Sequence, residues 1–339
     1  MEIKGILHYL NYFVIIILFG LILFSCDKTQ VNKYELILEI EPVESGLVHG
    51  SGFYKVGEKV PITANANDGW IFFRWSGNYA LIDNYNSSNA VITMPSYDFS
   101  LTAIFIVADG TNGTVKDIDG NIYSTVWIGG REWMAENLRV KRYNNGSEIP
   151  QIWGWSSTNY YDYYAVYPHS EIDGLNSEQD VLNVYGALYN WNVIEDNREV
   201  CPQGWRVPSI DEWTSMRNHL IHYYNYPSNR LGKRLKSCRQ VSSPHGGDCS
   251  TNIHPRWDFD DTHYGIDIFG FSLLPGGRRH SGGNFYNLGI SGNWWTTTYP
   301  INMPATPFLR STFKYSDGIS VSTAGKTTGL SIRCIKEKI

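Results

Sequence analysis

Residues 201–213 read CPQGWRVPSIDEW. A cysteine, two prolines, two tryptophans, an arginine and two acids in so short a span fit either an active-site loop or a piece of framework. The second half settles the reading. Ser209-Ile210-Asp211-Glu212 fits a capping box, with the Ser209 hydroxyl on the third helical amide and Glu212 reaching back to the cap. Pro208 keeps the helix from extending backward. Trp213, Met216, Leu220 and Tyr223 follow at helical spacing and predict one apolar face. Asp211 and Glu212 fall in the first turn, where carboxylates favour the positive end of the helix dipole. Cys201 serves as a disulfide partner and the tryptophans as core, so every part has a structural task.

Outward from this stretch, the 339 residues carry a net charge of −5 with no basic patch, which gives no footprint for nucleic acid. Aromatics make up 14% of residues, charged residues only 18%, and there are 32 glycines. Such a composition predicts strands, turns and long loops, with few amphipathic helices. A second, short helix is expected over Tyr185–Ile194, YGALYNWNVI.

At the other end, Lys4 precedes an apolar run, FVIIILFGLILF, from Phe13 to Phe24. It is shorter than the roughly 20 residues a bilayer core requires and suits the apolar region of a signal peptide. Leu23-Phe24-Ser25-Cys26 resembles a bacterial lipobox, which implies a signal peptide over 1–25, lipidation of Cys26 and attachment to the membrane through that lipid. Export to the cell envelope, as an outer-membrane lipoprotein, is the expected location.

Export leaves four further cysteines, Cys201, Cys238, Cys249 and Cys334, in an oxidising compartment, where an even number points to disulfides. Four cysteines allow three pairings. Cys238–Cys249 and Cys201–Cys334 are favoured, a short loop and a long closure. The loop-entropy argument gives them about 3 and about 5 kcal/mol. The absence of any C-x₂-C spacing speaks against zinc.

Residues 26–35 read as the lipidated cysteine and a polar tether. Residues 36–107 then form an all-β block, with strand-like runs such as KVPITANA and WIFFRW divided by turn residues. Gly46-Leu47-Val48, Gly50-Ser51-Gly52, Gly57-Glu58, Gly69-Trp70, Trp75-Ser76-Gly77, Met94-Pro95 and Thr102-Ala103-Ile104-Phe105 resemble, in order, the internalin B-repeat-like (divergent bacterial repeat) modules. The resemblance implies a small β spacer on a bacterial surface protein. Trp70, Phe73 and Trp75 read as its core ahead of a ligand platform, since a small domain needs large side chains to fill its interior.

After a linker at 108–113, residues 114–339 form a second domain. Trp127-Ile128-Gly129-Gly130-Arg131-Glu132-Trp133-Met134-Ala135-Glu136-Asn137-Leu138, Tyr185-Gly186-Ala187-Leu188-Tyr189-Asn190-Trp191, the stretch 201–213, Gly270 to Gly277, Trp294-Trp295-Thr296-Thr297-Thr298 and Ile332-Arg333-Cys334 resemble the Fibrobacter succinogenes major paralogous domain. The resemblance implies an α+β, loop-rich, C-type-lectin-like fold, related to formylglycine-generating domains, whose two ends meet. A Cys201–Cys334 bridge fits that arrangement. The overall expectation is this domain behind a small all-β N-terminal domain.

The sequence offers little to an enzyme. It lacks G-x-S-x-G, H-E-x-x-H, P-loop and G-x-G-x-x-G signatures, and only Cys334 lies where formylglycine-generating enzymes carry a redox pair. Cys201 as a nucleophile would need a histidine base, and His245, His254, His263 and His280 stand in no context that singles one out. No cofactor is expected. Calcium at Asp258, Asp260, Asp261 and Asp267 is the metal alternative, but the spacing fits no EF-hand loop. Gly276–Asn284 is glycine-rich and basic, yet reads as strand and turn rather than an anion cradle.

The binding candidate is the aromatic stretch 151–170, with Trp153, Trp155, Tyr160, Tyr161, Tyr163, Tyr164 and Tyr167. Such rings give large, rigid contact area with a polar handle, suited to sugars and protein surfaces. Asn159, Asp162 and His169 would add hydrogen bonds. The competing reading packs these rings over a core poor in regular structure. The expected function is noncatalytic: ligand binding or adhesion at the cell surface, with a glycan as the ligand. The alternative is a structural subunit of an envelope assembly, with a protein partner.

Overall fold

The computed structural model describes residues 32–153, 161–303 and 305–337. The signal segment, Cys26, Trp155 and Tyr160 lie outside the described residues. The chain divides after Ile106 into two compact units.

The first unit carries β1 (Lys33–Glu41), β2 (Gly46–His49), β3 (Gly52–Lys55), β4 (Lys59–Ala66), β5 (Trp70–Ser76), β6 (Asn89–Thr93) and β7 (Phe99–Val107), with two single 3₁₀ turns at Val43–Ser45 and Tyr79–Leu81. One sheet runs β3-β1-β7-β5 and the other β2-β4-β6. Alternation decides which faces meet. Val60, Ile62 and Ala64 of β4 and Ala90 and Ile92 of β6 pack against Leu36, Leu101, Ala103 and Phe105 of the other sheet. Trp75 is fully buried among them, while Phe73, two residues earlier on β5, is exposed. The core assignment therefore holds for Trp75 and not for Phe73. β1 and β7 pair in parallel, Leu36 opposite Phe99.

The second unit begins at Val107. Residues 108–113, expected as a linker, are built into it. The Gly110 amide donates to the Trp127 carbonyl, and the Asp109 carboxylate accepts from the Gly129 amide at 2.7 Å and meets His219 Nε2 at 2.6 Å. In chain order the unit contains β8 (Asn112–Lys116), β9 (Ile122–Ile128), β10 (Arg131–Met134), β11 (Tyr164–Ala165), α1 (Glu178–Tyr185), β12 (Leu188–Tyr189), α2 (Asn192–Glu195), β13 (Trp205–Arg206), α3 (Ile210–Tyr224) and α4 (Leu231–Leu235). There follow β14 (Gly276–Arg279), β15 (Phe285–Leu288), β16 (Ser291–Trp295), β17 (Phe308–Phe313), β18 (Ser320–Thr323) and β19 (Ile335–Lys336). The principal sheet runs β13-β19-β10-β9-β8, so strands from both ends of the unit share it. Among the described residues no helix is long and apolar enough to cross a membrane.

The stretch 201–213 is framework except at Gln203, whose side chain is exposed. Cys201 bonds Cys334 across 133 residues, and Cys238 bonds Cys249. Trp205 and Arg206 pair with Lys336 and Ile335. Ser209 caps α3 with both halves of the capping box present. Trp213, Met216 and Leu220 are buried, and Trp213 packs its ring 5.2 Å from Trp133 and 5.8 Å from Phe271. Tyr223, expected on the same face, is instead half exposed and stacks on His219.

Of the helix expected over 185–194 only Tyr185, at the end of α1, and Asn192–Ile194, in α2, are helical, and the longer helix lies before them. Ser177 accepts from the Asp180 amide and starts α1 at Glu178, and Gly186, at φ 78°, ends it. A left-handed glycine closes a helix at little cost, and a Cβ there would sit 2.8 Å from the Leu138 carbonyl oxygen. YGALYNW is therefore the exit of one helix and a short strand.

Candidate functional site

The structure divides the aromatic stretch. Trp153 is 55% and Tyr161 68% exposed. Tyr163 is fully buried: its hydroxyl donates to the Thr327 carbonyl at 2.7 Å and accepts from Arg279 at 2.8 Å. Tyr164 pairs through β11 with Tyr189 and is 4% exposed. Tyr167 is buried against Phe285. Tyr163, Tyr164 and Tyr167 are thus core rings, because the chain around them spends its backbone on β11 and on the Asn190 side chain. Asp162 is committed as well, accepting from Tyr143 at 2.8 Å and Arg198 at 2.9 Å. The guanidinium of Arg198 lies over the Tyr143 ring, and burial followed by the Asp162 carboxylate pushes the Tyr143 hydroxyl far up.

Beside this region lies an open cleft of about 540 Å³. The turn between β8 and β9 supplies Asp119 and Asn121, the segment after β10 supplies Arg139, Lys141 and Arg142, and α1 supplies Gln179. Glu148 and Gln151 complete the polar wall, with Ile149, Pro150, Leu182 and the edge of Tyr164 as apolar floor. The polar groups are held in place. Tyr164 donates to Gln151 Oε1 at 2.8 Å, and Gln151 donates to Glu178 at 2.6 Å. Asp119 accepts from the Lys141 amide at 2.6 Å and from Arg142 Nε at 2.5 Å. Lys141 Nζ donates to Gln179 at 3.3 Å. Burial, then Glu178, Asp119 and Glu148, push the Tyr164 hydroxyl up to about 12, so it stays a donor at neutral pH. Trp153 follows Gln151 by two residues and stands exposed in sequence next to the cleft wall.

The other candidates resolve differently. Cys201 is 2% exposed and disulfide-bonded, which removes it as a thiolate nucleophile. Asp258 sits near Arg256 and Lys314, Asp260 accepts from the Thr262 and His263 amides, and Asp267 accepts from the Ser272 amide. Among the described residues no three His, Cys, Asp or Glu side chains converge to hold a metal ion. Gly276–Asn284 forms β14 and the turn into β15, and its Arg279 turns inward to Tyr163.

A disulfide-tied, loop-rich domain following a β-sandwich repeat is the class these features define. The family model of the Fibrobacter succinogenes major domain matches residues 126–336, well over half of the chain, and the chain belongs to that family. The divergent InlB B-repeat domain matches residues 36–109. No curated protein and no solved structure matches the chain.

Nothing local in the sequence announced the cleft, whose walls come from four separated segments. The one available signal was the DIDGN turn at 117–121, where two acids beside a glycine stand out among hydrophobic strands.

Proposed function

We propose that this protein is an exported lipoprotein of the bacterial envelope, anchored through Cys26, whose second unit is a noncatalytic, C-type-lectin-like binding head that recognises glycans. The repeat module serves as its spacer. The observation that carries the reading is the preorganised polar cleft floored by Tyr164 and Ile149, with exposed Trp153 two residues along the chain from its Gln151. Ligand sites combine an apolar surface with a few fixed polar groups, and here the acids and arginines are engaged with one another rather than poised against a nucleophile. The two family matches, a surface-type repeat and a domain without an assigned reaction, support the same placement.

The test is a neutral and acidic glycan panel offered to the full chain in detergent, with calcium and with chelator. Binding is expected in both conditions, weakened at least tenfold by Trp153→Ala, with folding unchanged. No binding to any glycan would overturn the reading. It would favour a structural subunit of an envelope assembly, which the exposed Tyr299, Ile301 and Met303 on one loop would suit. Co-purification with an envelope protein, lost on Ile301→Asp, would then mark that role.

A further inference from the structure

A second cleft, of about 420 Å³, lies on the far side of the same turn. It is lined by Lys116, Asp117 and Ile118 of the turn, with Asn144, Glu199 and Gln203. Two chain segments are shared between the clefts. Asp117 and Ile118 face one and Asp119 and Asn121 the other, and Arg142 lines the first where Asn144 lines the second. The turn and the 142–144 segment therefore form a ridge with a cleft on each flank.

The ridge is stiff. The Asp117 carboxylate accepts from the Asn121 amide at 2.9 Å, the Asn121 side chain at 2.8 Å and the Tyr123 hydroxyl at 2.6 Å. Asp119 ties the ridge to Arg142. Ile118, 38% exposed, crowns it.

From these observations we infer that the two clefts form one continuous site for an extended neutral polysaccharide that straddles the Asp117–Asn121 ridge. The inference rests on the glycan-binding reading and adds its site, ligand charge and ligand length. Three features select this ligand. The walls are planar amides, carboxylates and guanidiniums, which meet neighbouring hydroxyls with paired donors and acceptors. The lining charges balance over the two clefts: Asp117, Asp119, Glu148 and Glu199 offset Lys116, Arg139, Lys141 and Arg142, so no net positive field is left for a polyanion. The polar groups are fixed before binding, which lowers the ordering cost of holding a long, weakly contacted chain. A peptide bound by strand addition would need an open strand edge to pair with, whereas the linings are mostly turn and loop side chains.

The experiment is calorimetric titration of the full chain with neutral β-linked gluco- and manno-oligosaccharides from disaccharide to hexasaccharide, with an oligouronate and an extended peptide as controls. Affinity should climb with length and then level off. Gln179→Ala, in the first cleft, should weaken every oligomer. Gln203→Ala, in the second, should weaken the long oligomers about tenfold, one hydrogen bond's worth, and leave the disaccharide unchanged. Both side chains are exposed, and Gln179 hydrogen-bonds Lys141 and Asn183. Affinity independent of length, equal effects of Gln203→Ala at all lengths, or preference for the uronate or the peptide would overturn the inference. Neutral-sugar binding that Trp153→Ala abolishes and both cleft variants leave intact would overturn it while keeping the binding-head reading. No binding in the series would overturn the inference, and failure across the wider panel would remove the reading beneath it.

Discussion

In the first unit, two hydrogen-bonded sheets carry the backbone through the core, and Ser45 is the sole buried polar side chain among the described residues. In the second, Lys236, Arg279, Arg310 and Arg333 are all buried. Lys236 Nζ donates to the carbonyls of His263, Phe313 and Ser316. Arg333 donates to the carbonyls of Met134, Phe271 and Ser272. Arg310 donates to the Ile210 carbonyl. Where strands pair, amides satisfy carbonyls. Where loops fill the interior, cationic side chains take the place of missing amides, since a buried carbonyl left alone costs about as much as a lost hydrogen bond. Burial opposes this use of charge: it holds the Arg333 guanidinium down to about 9, with Asp267 and Glu136 pulling it back up. The second unit accepts that cost and adds two disulfides, and the irregular loops it stabilises provide the cleft walls.

The contrast can be tested most severely at the long disulfide. Cys201→Ser should destabilise the second unit by about 2–5 kcal/mol and leave Cys334 reactive to alkylation. Unchanged melting with no newly free thiol would break the account of 201–213 as framework. Next in size is Lys236→Met. Removing the ammonium relieves its desolvation but strands three carbonyls, each worth about 1–3 kcal/mol when left unsatisfied. The second effect should win, lowering stability by about 3 kcal/mol on balance in chemical denaturation. Amide exchange should quicken in the second unit and stay unchanged in the first. A variant as stable as the parent would show that the cation is dispensable.

The smallest effects sharpen the picture at α3. Ser209→Ala should cost about 1 kcal/mol through loss of the cap. Glu212 accepts from Arg206 at 2.6 Å and from the Ser209 amide at 2.9 Å. Burial pushes its carboxyl up, but Arg206, the Ser209 amide and the charges of Arg206 and Arg131 outweigh burial and hold it below its ordinary 4.5. A carboxyl depressed on folding contributes stability that is complete above pH 4.5 and is lost as pH falls through the lower folded-state value. Glu212→Gln should therefore flatten the acid limb of the stability profile. An unaltered profile would remove Glu212 from the account.

What the sequence disclosed follows from how local each feature is. The α3 cap needs only Ser209 and Glu212, three residues apart, and was legible. Both disulfides match the pairing favoured, among the three that four cysteines allow, on the expectation of export. The all-β character of the first unit was legible because runs such as those of β4 and β6 alternate. α1 was misplaced because an aromatic run outweighed the Ser177 cap and the Gly186 stop. Tyr163 and Trp153 are similar side chains on irregular backbone, and without a period nothing in the sequence says which turns inward. The cleft joins residues 119, 142, 151 and 179, which only the tertiary fold brings together. The inward cations were equally hidden, since a lysine at 236 looks like any surface lysine until the carbonyls around it are placed.

Recognition is proposed to occupy the two clefts and the ridge between them, Gln203 included, with the rest of 201–213 as support. Hydrogen–deuterium exchange of the full chain, with and without the tightest-binding neutral hexasaccharide of the series, tests it most directly. New protection is expected at 116–121, 139–151, 178–183 and 199–203, and none in the first unit. Protection confined to 299–323 or to the repeat module would contradict it.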